Sequence, residues 1–298
     1  MSSAVQTCTA ARRSALAPLR SRGPGAPLRT RLPAAAASSG SAEPLALVSP
    51  ERAALSSCTV LAVPAGTPVN ASSLVKAEGR TLLFVTTHTA DFDSFEQASK
   101  LVDYLPALDA AGVHVALVVI GTAAAAAAFG EYTNFPVARL YADPSAACHA
   151  ALGYEPGAGR AGGEALYLSS LPGMAKLMAM CAGVGSPGTL KEVFRGYLGD
   201  KSAPPVFKTG SNVDLPWKDA FNLVGRNHQR PFELATLRGM NMAKILSNWT
   251  ELAPADSELL VQRGGTLLFE NGVVKWSHRD AGILGFADPA VAVAAAGL

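Results

Sequence analysis

Four ionisable side chains follow one apolar segment of the chain. The segment Thr81–Thr87 reads as a buried strand, and His88, Asp91, Asp93 and Glu96 come directly after it. Carboxylates are favoured at the N-terminus of a helix because the positive end of the helix dipole stabilises them. Two interpretations stay open, helix capping and a polar recognition or weak cation site. No EF-hand or other ligand spacing accompanies these residues, so we predict no metal.

The start of the following helix has a capping pattern. We predict Asp93 as the N-cap, and Glu96, three residues later, then completes a capping box in which Asp replaces Ser or Thr. Apolar residues recur at helical spacing through residue 110, which predicts a helix with one buried face. Pro106 lies inside this run and predicts a kink or break.

The cysteines offer a second kind of chemistry. Cys181 lies in an apolar run, Cys148 neighbours His149, and Cys58 begins a short strand. Their spacing contains no C-x-x-C pair or His/Cys cluster, so it predicts neither a metal site nor a disulfide framework. Packing as small buried apolar groups is one interpretation. A reactive thiol at Cys181 or Cys148 is the other.

Strands and helices alternate around these residues, which predicts a parallel-based α/β sandwich. The predicted strands are 58–63, 81–87, 113–120, 140–142, 266–270 and 273–277. Asn271-Gly272 between the last two predicts a β-hairpin. No G-x-G-x-x-G or P-loop pattern follows a strand, so we predict no nucleotide or other cofactor.

The sequence between residues 154 and 255 differs from this pattern. It is rich in glycine and loops, with an apolar helical stretch, Leu166–Ala182, interrupted by Pro172-Gly173. A membrane span needs about 20 apolar residues with few breaks, so we predict a buried or partner-facing helix and no span. The predicted organisation is a core over 56–153 and 256–298, with 154–255 as a mainly helical insertion.

Charge is distributed unevenly along the chain. The first 42 residues contain six arginines and no acid, whereas the chain from Glu43 onward has 19 Lys+Arg and 23 Asp+Glu, a net charge of −4. Such a body gives no electrostatic reason to expect a nucleic-acid partner. A basic segment rich in serine, alanine and proline is typical of an organellar transit peptide. We therefore predict that residues 1–40 direct the protein to the plastid, with the stroma as compartment and the mitochondrion as alternative.

The predicted core resembles the peroxiredoxin-like 2 branch of the AhpC/TSA proteins, in its plastid and cyanobacterial members. The resemblance rests on the order of elements from residue 82, on Leu140-Tyr141-Ala142-Asp143-Pro144, and on Gln262-Arg263-Gly264-Gly265 before the hairpin. It implies a thioredoxin-like fold, a mixed central sheet flanked by helices, and a place in the redox and antioxidant superfamily.

The chain departs from this branch at one position. Redox-competent members have a C-x-x-C or single-cysteine motif after the first core strand, whereas this chain has Ala90-Asp91-Phe92-Asp93. We therefore expect a non-catalytic binding, assembly or regulatory protein, whose plastid protein partner could bind the Leu166–Ala182 helix. Gly264 and Gly265 join His88, Asp91, Asp93 and Glu96 as binding candidates. The alternative is a thiol-dependent peroxidase or reductase that uses Cys181 or Cys148.

Overall fold

The computed structural model describes residues 49–208 and 217–298, and a seven-stranded mixed sheet forms the centre of this part of the chain. The sheet order is β2-β1-β5-β4-β3-β6-β7. The strands are β1 Thr59–Ala62, β2 Thr67–Asn70, β3 Arg80–His88, β4 Val113–Ile120, β5 Leu140–Ala142, β6 Gly265–Glu270 and β7 Val273–Arg279. Strands β3, β4 and β5 run parallel, and the other neighbours pair antiparallel.

The two central strands are buried on both faces, as their continuous apolar sequences predict. Successive side chains of a strand point to opposite faces. Leu82 and Phe84 of β3 accordingly join one apolar cluster, and Leu83 and Val85 join another on the opposite face. The sheet therefore separates two cores, and helices cover both.

Helices follow most strands. They are α1 Pro50–Leu55, α2 Phe92–Val102, α3 Leu105–Ala110, α4 Ala123–Thr133, α5 Ala147–Ala151, α6 Gly173–Cys181, α7 Thr189–Leu198, α8 Glu233–Ser247, α9 Trp249–Leu252 and α10 Pro289–Ala295. The predicted break near Pro106 is confirmed, since this proline stands in the first turn of α3, where its missing N–H costs no hydrogen bond.

The closing hairpin is also confirmed. Asn271 and Gly272 have φ angles of 51° and 75°, and this left-handed pair matches the tight turn that joins twisted antiparallel strands. The turn is also fixed to the core, because the Asn271 side chain accepts a hydrogen bond from Gly79 N at 2.8 Å.

Helices α6, α7, α8 and α9 come from the predicted insertion. The apolar stretch Leu166–Ala182 does not form one helix: residues 166–168 form a 3₁₀ turn, and α6 begins at Gly173, after Pro172. A Cβ on Gly173 would lie 1.9 Å from the Ser257 carbonyl oxygen, so glycine allows α6 to pack closely on residues 257–261. The division into core and insertion stays a prediction.

Two sequence predictions concern other properties of the chain. The predicted transit peptide, residues 1–40, lies outside the described residues. Among the helices that the structure describes, none combines the length and the apolar character needed to cross a bilayer.

Candidate functional site

The polar residues after β3 come together at the start of α2. Strand β3 ends at His88, and Asp91 N donates to the His88 carbonyl at 2.9 Å. Thr89 fixes the turn between strand and helix, since its N–H donates to Ile120 O at 2.9 Å and its hydroxyl donates to Leu252 O. The turn therefore holds the following carboxylates in place at the helix N-terminus.

The predicted cap at Asp93 is wrong by two positions. Asp91 is the N-cap, with its Oδ1 accepting from Asp93 N at 3.1 Å. Asp93 lies inside the first turn, and its carboxylate accepts from Leu284 N at 2.8 Å. Asn, Asp and Ser are about equally effective N-caps, so spacing alone did not distinguish the two aspartates.

The capping box at Glu96 is wrong as well. Its carboxylate oxygens accept from Lys100 Nζ at 2.9 Å and from Arg238 Nε at 2.8 Å. Burial raises the pKa of Glu96, but the two cations outweigh burial and lower it to about 2. Glu96 therefore stays ionised and joins α2 to α8, so it is not available as an open binding group.

A buried arginine completes the site, and sequence reasoning missed it. Arg263 has no solvent exposure, and its two terminal nitrogens lie 3.2 Å from Asp91 Oδ2 and 3.2 Å from Asp93 Oδ2. Its Nε donates to Val261 O at 3.2 Å. The sequence alone does not indicate this pairing, because its acidic partners lie 170 and 172 positions before Arg263, and an arginine is buried only when it is paired.

Gly264 and Gly265 sit beside this arginine for reasons of packing. A Cβ on Gly264 would lie 2.1 Å from Val85 O, and one on Gly265 would lie 2.5 Å from His278 O. No side chain fits at these distances, so the pair lets β6 approach β3 and β7. This approach brings Arg263 over the start of α2.

The carboxylates around Arg263 do not share one ionisation state. Burial raises the pKa of Asp91, but the Arg263 charge outweighs burial, and the result is lowered. Burial and repulsion from Asp91 hold the pKa of Asp93 well above its ordinary value. Burial also raises the pKa of the nearby Asp280 to about 6. Asp91 is therefore the ionised partner of Arg263, and Asp93 and Asp280 resist ionisation.

His88 is the neutral member of the site. It is fully buried, and Ala90 N donates to its Nδ1 at 3.2 Å, so the ring proton belongs on Nε2. Nε2 makes no hydrogen bond of ordinary length and angle with a described residue. The backbone of Leu260 nevertheless acts to raise the pKa of the ring, against the larger effect of burial. Burial lowers the pKa of His88 to about 4, so it is uncharged at neutral pH.

Cys181 lies close to this site, as a member of both adjoining cavities. The cavities measure about 410 and 280 Å³, and both are lined by Phe92, Met178, Cys181 and Met242. Burial, then the charges of Asp91 and Asp93, raises the pKa of the Cys181 thiol to about 11. The thiol is thus near the start of α2, in surroundings that disfavour the thiolate.

Cys148 lies in the core on the other side of the sheet, together with Cys58. It is completely buried; burial, followed by the Asp143 carboxylate and the Cys58 thiol, raises its pKa. The contact between Cys148 and Cys58 is a second feature that the sequence did not reveal, since 90 positions separate them. No three His, Cys, Asp or Glu residues within 49–208 and 217–298 are grouped so that they could hold a metal ion.

Comparison with known proteins identifies the family. Neither the curated proteins nor the solved structures include a significant match to this chain. The sequence model of the AhpC/TSA antioxidant enzymes, by contrast, matches residues 100–282, more than half of the chain. This match agrees with the mixed sheet and its flanking helices, which form a thioredoxin-like fold. The chain therefore belongs to the AhpC/TSA antioxidant enzyme family.

Proposed function

We propose that this protein is a member of the redox superfamily that binds a partner and does not reduce peroxides. The observation that carries this proposal is the buried Asp91–Arg263–Asp93 cluster at the start of α2. In the resemblance described above, this is the position of the redox cysteines. The chain has no cysteine between Cys58 and Cys148, so the helix end that would stabilise a thiolate holds carboxylates instead.

The cluster is better suited to fixing structure than to reacting. The carboxylates of Asp91 and Asp93 accept from Arg263, and Asp93 also accepts from the backbone of Leu284. Both aspartates are at most 3% exposed, so an approaching peroxide would meet no open charge there, and the nearby Cys181 thiol belongs to α6. The family match begins at residue 100. It does not include Asp91 or Asp93, so the chemistry at the start of α2 is part of our proposal.

The partner surface that we propose is α6 with the turn before it. Leu166, Tyr167, Met174 and Met178 are between 40 and 75% exposed. Methionine side chains are flexible and polarisable, and they are frequent in surfaces that adapt to a partner. We propose that this surface binds a protein partner.

Peroxide turnover tests the catalytic part of this proposal. The purified chain is given hydrogen peroxide or an organic hydroperoxide with dithiothreitol or a thioredoxin system as reductant. We expect consumption no faster than that of the same protein with Cys181→Ser, Cys148→Ser and Cys58→Ser combined. Turnover that this triple variant loses would overturn the proposal.

A second function is favoured by the location of Cys181. Its thiol shares two cavities with Phe92, the first residue of α2, so a thiol from α6 could replace one missing from α2. The elevated pKa argues against this, because at pH 7 only about one molecule in ten thousand would be a thiolate. The single variant Cys181→Ser decides the point: loss of turnover with this variant, but not with Cys148→Ser, would establish the relocated thiol.

The plastid location remains part of the proposal, supported by the basic, acid-free leader. Fusion of residues 1–45 to a fluorescent protein, expressed in plant or algal cells, tests it. We expect fluorescence in the plastid stroma and none after the six arginines are changed to glutamine. Fluorescence in mitochondria would favour the alternative.

A further inference from the structure

Helix α7 presents an apolar face outward. Leu190, Phe194, Tyr197 and Leu198 are 50 to 74% exposed. At 3.6 residues per turn these four side chains lie within an arc of about 100°. The opposite side of α7 packs inward through small residues, since Thr189 and Gly196 are buried. The side of α7 that carries small residues is therefore buried, and the side that carries large apolar residues is exposed.

The apolar face continues onto the start of α8. The Phe232 ring is 60% exposed and lies 5.9 Å from the Tyr197 ring, in an edge-to-face arrangement. The two segments are joined further, because Phe232 N donates to Tyr197 O at 3.0 Å. Contiguous exposed apolar patches mark interaction sites in folded proteins, so this patch is a candidate interaction site.

The charge around the patch indicates what kind of occupant fits. Residues 183–233 contain seven lysines and arginines and five acids, a net charge of +2, although the chain from Glu43 onward is net negative. Lys191 and Lys201 flank the apolar arc in sequence, are exposed, and form no ion pair with another residue that the structure describes. The segment therefore combines exposed apolar groups with unpaired positive charge.

Glu192, the acidic residue of α7, does not lie on the exposed apolar face. Glu192 lies on the other side of the helix from the arc, where its carboxylate accepts from Arg195 Nε at 2.7 Å. Its backbone carbonyl accepts from Arg238 of α8 at 2.9 Å. The outward face consequently carries apolar side chains and lysine, without a carboxylate from this helix.

We propose that the α7 face binds an anionic lipid surface. Leu190, Phe194 and Leu198 enter the boundary between headgroups and acyl chains, and Tyr197 and Phe232 lie at headgroup depth, where aromatic side chains are enriched. Lys191 and Lys201 contact anionic headgroups, since a basic flank adds electrostatic attraction to apolar burial. The helix lies in the plane of the interface and does not cross the bilayer.

Vesicle flotation tests this proposal with the full chain. The vesicles are phosphatidylcholine alone or an equal mixture of phosphatidylcholine and phosphatidylglycerol. We expect the protein to float with the mixed vesicles, to float less at high salt, and to stay unbound with phosphatidylcholine alone. Failure to float with the mixed vesicles, or equal flotation with both kinds, would overturn the proposal.

Two variants separate the apolar and the charged contributions. Phe194→Ser/Leu198→Ser should weaken binding to the mixed vesicles by more than about tenfold, because each side chain buries a large apolar area. Lys191→Gln/Lys201→Gln should weaken it by about 25-fold, fivefold for each lysine near an anionic membrane. This second variant leaves the apolar residues intact, so it also tests the proposal if the serine variant does not fold.

A matched control removes apolar side chains elsewhere. Val137→Ser/Val291→Ser changes two residues that are 37 and 55% exposed outside this patch, and it should float like the unchanged protein. If Phe194→Ser/Leu198→Ser floated as well as the unchanged protein, this would contradict the proposal. The unchanged protein could instead form a dimer and not float with vesicles. If Phe194→Ser/Leu198→Ser then dissociated that dimer, the face would be assigned to a second copy of the chain, and the lipid proposal would be overturned.

Discussion

Two arginines among the described residues are at most 1% exposed, and their surroundings differ in the balance of charge. Arg230 pairs with Glu233, whose carboxylate oxygens also accept from the backbone N–H groups of Arg230 and Phe207. Arg263 is shared by Asp91 and Asp93, and a third carboxylate, Asp280, is close enough to help raise the pKa of Asp93. One site is a matched pair, and the other has more acid than the guanidinium can neutralise.

The difference separates a structural pair from a site with adjustable protonation. A matched buried pair has one stable charge state, so it holds residues 207, 230 and 233 together and offers no further chemistry. A site with excess carboxylate must keep some of its acids protonated, because burying an unpaired charge is expensive. That site lies at the start of α2, the position to which the family resemblance assigns chemistry.

The largest effect should come from breaking the matched pair. Glu233→Gln leaves the Arg230 guanidinium buried without its anion, and we expect a loss of about 3–5 kcal/mol in the free energy of unfolding. Urea denaturation of the purified chain measures it. The control is Glu270→Gln, whose carboxylate is 48% exposed and 3.8 Å from Lys275, and which should change stability by less than about 1 kcal/mol.

A loss for Glu233→Gln no larger than that of its exposed control would show that the Glu233 charge does not stabilise buried Arg230. The Arg230 charge would then have to be stabilised by hydrogen bonds alone, to Asn222 Oδ1 and to the carbonyl oxygens of Phe207 and Gly225. The structure offers these as additional acceptors, none of which carries a charge.

The Arg263 site should respond differently, because two carboxylates can replace each other. Asp91→Asn and Asp93→Asn should each cost only about 1 kcal/mol, since the remaining aspartate still neutralises Arg263. The double variant leaves neither, and we expect a loss larger than the sum of the singles by about 1–3 kcal/mol. A double-mutant cycle in urea measures this coupling. Additive losses would mean that the aspartates act independently.

More of the fold than of the site could be predicted from the sequence. Strands such as Val113–Ile120 and the Asn271-Gly272 turn follow from local apolar patterns and turn chemistry, which act over a few residues. The cap was misplaced because Asp91 and Asp93 are chemically equivalent, and what separates them is contact with residues far along the chain. Arg263 lies 170 positions after Asp93, and a pairing at that separation depends on the antiparallel register of β6 against β3.

The smallest effect concerns the acid that Arg263 does not pair with directly. Burial raises the pKa of Asp280 to about 6, so the folded protein holds a proton there more tightly than the unfolded chain, whose aspartates titrate at about 3.9. Between these two values the folded state binds more protons, and stability therefore falls as the pH rises.

Asp280→Asn removes this ionisation and should stabilise the protein at pH 7 by about 1 kcal/mol, less than the full shift because the carboxylate's contacts are lost too. Below pH 4 the gain should disappear, because the wild-type carboxyl is then neutral in both states. Thermal unfolding followed from pH 4 to 7 measures the difference, with Asp256→Asn in an exposed turn as the control. A gain that is the same at pH 4 and pH 7 would show that Asp280 affects stability through shape, and it would leave the excess of acid around Arg263 without an energetic consequence.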